Sequence, residues 1–141
     1  MVLIQLHTSA TLYMVGLIWF VQLVHYPLMA RVGEAQFIAY ERLHTRWTTV
    51  AVAPAMFVEL GTSVALVPMA QGVGYPPVFA WAGLGLVLML WVSTAILQVP
   101  CHRRLEQGFD RAVHQRLVRS NWLRTVGWSL RGVLVLIAMP V

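Results

Sequence analysis

The sequence predicts an all-α integral membrane protein. It reads as a single four-transmembrane-helix bundle over residues 1–141, with an amphipathic helix on its cytoplasmic surface. Three observations predict it. Hydrophobic residues make up 59% of the chain and charged residues 11%, against roughly 25% charged in soluble domains. Long apolar stretches recur four times. Most of the arginines collect in two of the three connections. A soluble domain of this size exposes too much surface for so few charges, and disorder needs the opposite composition.

The first span follows from the absence of Asp, Glu, Lys and Arg between Met1 and Ala30. About 20 apolar residues cross the hydrocarbon core, which places the span at Ser9 to Met29. A signal peptide would start basic and end at small residues. This stretch starts uncharged and ends in Val24-His25-Tyr26-Pro27, which reads as an uncleaved span. Arg31 to Arg46 is polar, and Phe37, Tyr40 and His44 suggest a short helix leading into the second span. That span runs from Trp47 to Val67 and is interrupted only by Glu59. The Gly and Pro residues of Gln71 to Pro77 break the chain. The third span runs from Val78 to Val99, with Pro100 expected to close it. Leu105, Phe109, Val113 and Leu117 recur every fourth residue between arginines, which predicts a surface helix over His102 to Ser120. His114 and Asp110 are then expected to lie outside the bundle. The last span runs from Asn121 to Met139.

Charge gives the orientation. The net charge is +5, with every basic residue an arginine. Arg31, Arg42, Arg46, Arg103, Arg104, Arg111, Arg116 and Arg119 fall in two connections, and the turn around Gly72 is neutral. The positive-inside rule places both rich connections in the cytoplasm and both termini outside, in a cell inner membrane. The basic balance therefore points to the lipid bilayer as partner and not to nucleic acid. A single cysteine, Cys101, excludes an internal disulfide and a cysteine-based metal cluster.

Polar residues within the spans are costly and therefore informative. Gln22 and His25 share a face of span one. Thr94, Gln98 and His102 share one in span three. Asn121, Arg124, Thr125, Trp128 and Arg131 recur at helical spacing in span four. Turned inward, these stripes make a four-helix bundle with a polar interior. Counting about 1.5 Å per residue puts Glu59 roughly 20 Å and Arg131 roughly 15 Å from the cytoplasmic boundary. Those two are natural partners in a buried ion pair, and Glu59 lies too deep to share a metal with His102. His25, His102 and His44 collect near the cytoplasmic face, and imidazole binds transition metals and haem iron. The plainer alternative is separate interfacial histidines bonded to loops and headgroups. Tyr26, Tyr40, Trp47 and Trp122 read mainly as an interfacial belt.

The residues Val24-His25-Tyr26-Pro27, Tyr40 to Arg46, Pro54 with Glu59-Leu60, Gln98 to His102 and Asn121 to Thr125 resemble a group of small bacterial four-span proteins of uncharacterised function. More distantly, His102, Asn121 and Arg124 are similar to a pattern in anthrone oxygenase-like membrane proteins. His102 stands where that pattern carries Asn. Trp19-Phe20, Leu23 and Pro27, then Glu41-Arg42 and Pro54-Ala55-Met56, resemble the four-helix haem-binding protoporphyrinogen oxidases. The first-span histidine of that family has no counterpart at its spacing. Both likenesses imply a small helical bundle associated with oxidation chemistry.

The expectation is a small membrane redox protein with a histidine-rich metal or haem site near the cytoplasmic face, of oxidase or oxygenase type. His25 and His102 lead as ligands, with His44 third. Gln98, Asn121, Arg124 and Arg46 would orient a hydrophobic small molecule or meet an anionic group on it. A second copy of the chain is a further partner compatible with so apolar a surface. The alternative is a non-catalytic binding, transport or accessory subunit with a structural polar interior. No Gly-rich phosphate loop or Ser–His–Asp arrangement supports a hydrolase.

Overall fold

The computed structural model describes residues 1–139. Four long helices carry most of them: α1 (Val2–Met29), α2 (Glu34–Met69), α3 (Pro77–Leu105) and α4 (Arg111–Ile137). No strand occurs among the described residues. The first three are long and apolar enough to cross a membrane. α1 and α3 each pack on α2 and on α4, which closes the four into a ring.

Three boundaries differ from those expected from the sequence. The short helix before Arg46 and the span from Trp47 are one helix, α2, of 36 residues. Gly33 starts it in an extended conformation, and no residue near Arg46 stops it. At about 1.5 Å per residue α2 measures about 54 Å, well beyond a hydrocarbon core of roughly 30 Å. Pro100 does not end α3, which continues to Leu105. The turn ahead of it, Thr94–Gln98, is a π-helix, and this wider turn admits the proline ring.

The third difference is the expected surface helix over His102 to Ser120. It is instead the end of α3, a turn, and the first turns of α4. Gly108 takes a positive φ of 146° in the turn. Asp110, expected on the surface helix, caps α4 by accepting from the backbone N–H groups of Ala112 and Val113 at 2.9 and 3.1 Å. Leu105 and Leu117 are fully buried with Val21, Tyr26, Met29, Phe37 and Cys101, and Phe109 and Val113 pack against them. A four-residue apolar repeat looks the same whether it faces lipid or protein. An aspartate N-cap after a glycine was the local signal for a new helix.

Polar residues of the helices turn into the bundle, among buried apolar clusters, and the outer surface is apolar. On α4, Asn121, Arg124, Thr125 and Arg131 are buried, and Leu123, Val126, Leu130 and Val133 are exposed. Close approach of α3 and α4 depends on Gly127, where a Cβ would meet the Leu90 side chain at 2.9 Å.

Glu59 and Arg131 form an ion pair at 3.2 Å with both side chains buried. Trp128 Nε1 donates to the other Glu59 oxygen at 2.8 Å. Arg131 also donates to the Gly83 carbonyl of α3, to Thr11 of α1 at 3.4 Å, and to Ser63 of α2 at 3.3 Å. One guanidinium on α4 therefore engages all three other helices. Removing one partner of a buried pair strands the other charge, at about 3–5 kcal/mol. Glu59→Gln or Arg131→Met alone is expected to lower the unfolding midpoint in detergent more than the double substitution does. A double variant no more stable than the worse single one would contradict the pairing.

Candidate functional site

The site lies at the end of the bundle that carries the α1–α2 and α3–α4 connections. Two π turns shape it. In α1 the turn is Val21–His25, and the Tyr26 N–H reaches back to the Val21 carbonyl. In α3 it is Thr94–Gln98, and the Val99 N–H reaches back to Thr94. Each is followed by a proline at the same offset, Pro27 and Pro100. A proline ring clashes with the carbonyl four residues before it, and the wider turn relieves that clash. One extra residue per turn also rotates the chain beyond it by about 100°. Gln22 therefore faces α4, accepting from Asn121 Nδ2 at 2.8 Å. His25 turns toward α2, within 3.4 Å of the Tyr40 hydroxyl.

Glu41, His44 and His102 converge here, with one candidate ligand atom from each lying within 4.8 Å of the others. His102 Nδ1 is 2.6 Å from Glu41 Oε1. Its Nε2 meets the Tyr26 hydroxyl at 3.3 Å. His44 Nδ1 is engaged by Thr48 at 3.0 Å, which leaves Nε2 facing no hydrogen-bond partner among the described residues. Glu41 is 0% exposed, and its Oε2 has no partner. The His25 ring stacks on His44 at 4.2 Å between centroids, and His44 lies 5.1 Å from His102. A buried carboxylate needs a positive partner; an imidazolium or a metal ion meets that need. Two imidazoles and one carboxylate with open positions are the donor set of non-haem iron oxygenase sites. In both histidines the second ring nitrogen meets a hydroxyl, which constrains the ring orientation.

Beside this cluster is a cavity of about 570 Å³. Its polar lining includes His44, His102, Tyr26, Gln98 and Arg124, with Arg103, Glu106 and four threonines, and Met14, Ile18, Val52, Met56 and Phe57 supply much of the rest. An apolar pocket with a few convergent polar groups is the usual form of a small-molecule site. Gln98 is held between Ser93 at 3.3 Å and Ser120 at 3.1 Å.

Several residues differ in role from the sequence expectation. Arg46 is exposed and lies over Trp47 at 5.6 Å, away from the cavity. His114 is buried, not outside the bundle, and its Nε2 is 2.9 Å from the Tyr26 carbonyl. Tyr26 is 2% exposed and belongs to the site, not to an interfacial belt. Thr94 and Thr125 bond back to their own helices, at 2.8 and 3.0 Å. Glu41 was not among the expected site residues. Its signal was the Glu41-Arg42-Leu43-His44 spacing, which puts carboxylate and imidazole on one helical face.

Comparison with protein-family models, curated proteins and solved structures gave no match.

His114→Ala leaves a buried carbonyl without its imidazole partner and is expected to cost about 1–3 kcal/mol. Arg46→Gln, at the surface, is expected to stay within about 0.5 kcal/mol. Thermal unfolding in detergent separates the two, and equal losses would contradict the burial of His114.

Proposed function

We propose that the chain is a four-span membrane redox protein. It holds one first-row transition-metal ion at Glu41, His44 and His102 and presents it to a hydrophobic small molecule in the adjoining cavity. The observation that carries this reading is the shared wall: two of the three metal-ligating candidates, His44 and His102, also line the cavity. The ion would supply the one-electron and oxygen chemistry that side chains lack, which makes oxidase or oxygenase activity the reaction class. Glu41 supplies the negative charge that favours a divalent cation. Tyr26 and Thr48 fix the ring orientations of His102 and His44. His25, stacked on His44, packs the ligand ring in place. This stacking leaves no slot for a macrocycle between His25 and His102, which favours a bare ion over haem.

The fourth crossing rests on the packing of α4. Its outward face is Leu123, Val126, Leu130, Val133 and Leu136, and its charged residues from Asn121 onward are buried in the bundle. The arginine-rich connections favour the cytoplasmic side of an inner membrane for the metal site, with both termini outside. Reporter fusions at Gly72 should then read outside and fusions at Gln107 cytoplasmic. The reverse would turn the site to the other face.

Metal analysis tests the centre. Protein reconstituted with ferrous, manganous, cobaltous or zinc ion and desalted is expected to retain one ion per chain. Glu41→Gln, His44→Ala and His102→Ala should each weaken binding by more than the roughly 10–100-fold typical of an outer-shell change. Arg46→Gln should leave affinity unchanged. A preparation that retains no ion, or one whose ion is indifferent to Glu41, overturns the metal reading. A non-catalytic binding or transport subunit then takes its place.

A further inference from the structure

The two arginines inside the bundle differ in their partners. Arg124 and Arg131 lie two turns apart on α4 and are both buried, at 7% and 1% exposure. Arg131 has a carboxylate and three further acceptors. Arg124 donates to the Asn121 side-chain oxygen at 3.3 Å, neighbours the neutral Tyr26 hydroxyl, and lies over the Trp128 ring at 5.1 Å. Its Nε has no partner. Among the described residues the salt bridges use Glu41 with His102 and Glu59 with Arg131, so Arg124 has no carboxylate. Arginine cannot discharge by losing its proton, and a buried charge without a partner is costly.

Arg124 lines the cavity, and so does Trp91. The Trp91 Nε1–H is likewise buried without an acceptor. Arg124 thus brings a guanidinium without a carboxylate partner to a wall that is mostly apolar. We infer that Arg124 is an anion-binding residue for the cavity's ligand, an apolar molecule with a single carboxylate or phenolate oxygen. The guanidinium receives the anionic oxygen, and the Met, Val and Phe wall takes the hydrocarbon. Such a molecule partitions into a bilayer, which matches a pocket among membrane-crossing helices. The inference rests on the cavity as the ligand site of the proposed function, but not on the metal.

The test is therefore made on chelator-treated wild-type protein in nanodiscs of zwitterionic lipid. The probes are an ω-brominated undecanoate and its methyl ester, read by quenching of tryptophan fluorescence. A charge-assisted hydrogen bond predicts that the acid binds about 10–100-fold more tightly than the ester. Arg124→Gln should abolish that preference and leave ester binding in place. Arg124→Lys should retain part of it. Equal binding of acid and ester to the wild type overturns the inference, and this comparison needs no variant to fold. So does a preference that survives in Arg124→Gln. Binding of neither probe overturns it together with the cavity's role, and leaves metal retention to be judged separately. Tighter binding of an alkyl phosphate than of the carboxylate overturns the assigned headgroup in favour of a phospholipid-like ligand.

Discussion

Arginine keeps its charge in any protein interior. Once Arg131 sits in the centre of this bundle, the helices around it must therefore supply acceptors. They do so from every side: Glu59 and Ser63 from α2, Thr11 from α1 and the Gly83 carbonyl from α3. Trp128 completes the arrangement by donating to the second Glu59 oxygen. This network fixes depth and rotation together. A one-residue slip of α4 would turn the guanidinium by about 100°, away from all of its acceptors. Apolar packing alone gives no such register, because lipid chains compete on equal terms with leucine and valine. The pair therefore does for this bundle what a polar core residue does for a coiled coil.

With register held at one level, the other end of the bundle can accommodate irregular turns. The π turns of α1 and α3 precede Pro27 and Pro100 and direct Tyr26 and His102 toward one another. The regular stretch of α2 supplies Glu41 and His44 one turn apart. From the first turns of α4, His114 secures the Tyr26 carbonyl. Each wall of the site thus comes from a different helix, and the cluster forms only when the whole bundle does.

Much of this was legible in the sequence, and the limits have physical causes. Composition indicated helices of membrane-crossing length. Counting residues from the arginine boundaries brought Glu59 and Arg131 to similar depth, and the structure places them 3.2 Å apart. Depth is a linear quantity, so it survives errors in rotation. Rotation is what the sequence conveyed poorly. The π turns shift the helical phase, so the shared face expected for Gln22 and His25 splits between α4 and α2. Glu41 carries no such signal of depth, because a charged residue in a connection is ordinarily solvated, and the continuity of α2 through Arg46 is what buries it. Arg46 went the other way: its depth matched the site, but its face did not. His114 is buried because the apolar stripe around it packs on protein and not on lipid.

The cavity leaves the bundle mechanically uneven. α3 is fastened to α4 along its length, by Gln98 to Ser120, by the close contact at Gly127 and by Arg131 to Gly83. Toward α2 its direct hydrogen bond is the Glu41–His102 contact at one end, joined beyond the helix by Thr45 to Glu106. Along the cavity itself, among the described residues, the two helices meet through side chains such as Phe57 and Trp91, with ring centroids 5.1 Å apart. Spreading this seam breaks no hydrogen bond there, and in a bilayer acyl chains replace the apolar contacts at little cost. The bundle is thus stiff on three sides and compliant on the fourth. In a bilayer, lateral pressure and acyl-chain order would therefore act first on the seam between α2 and α3.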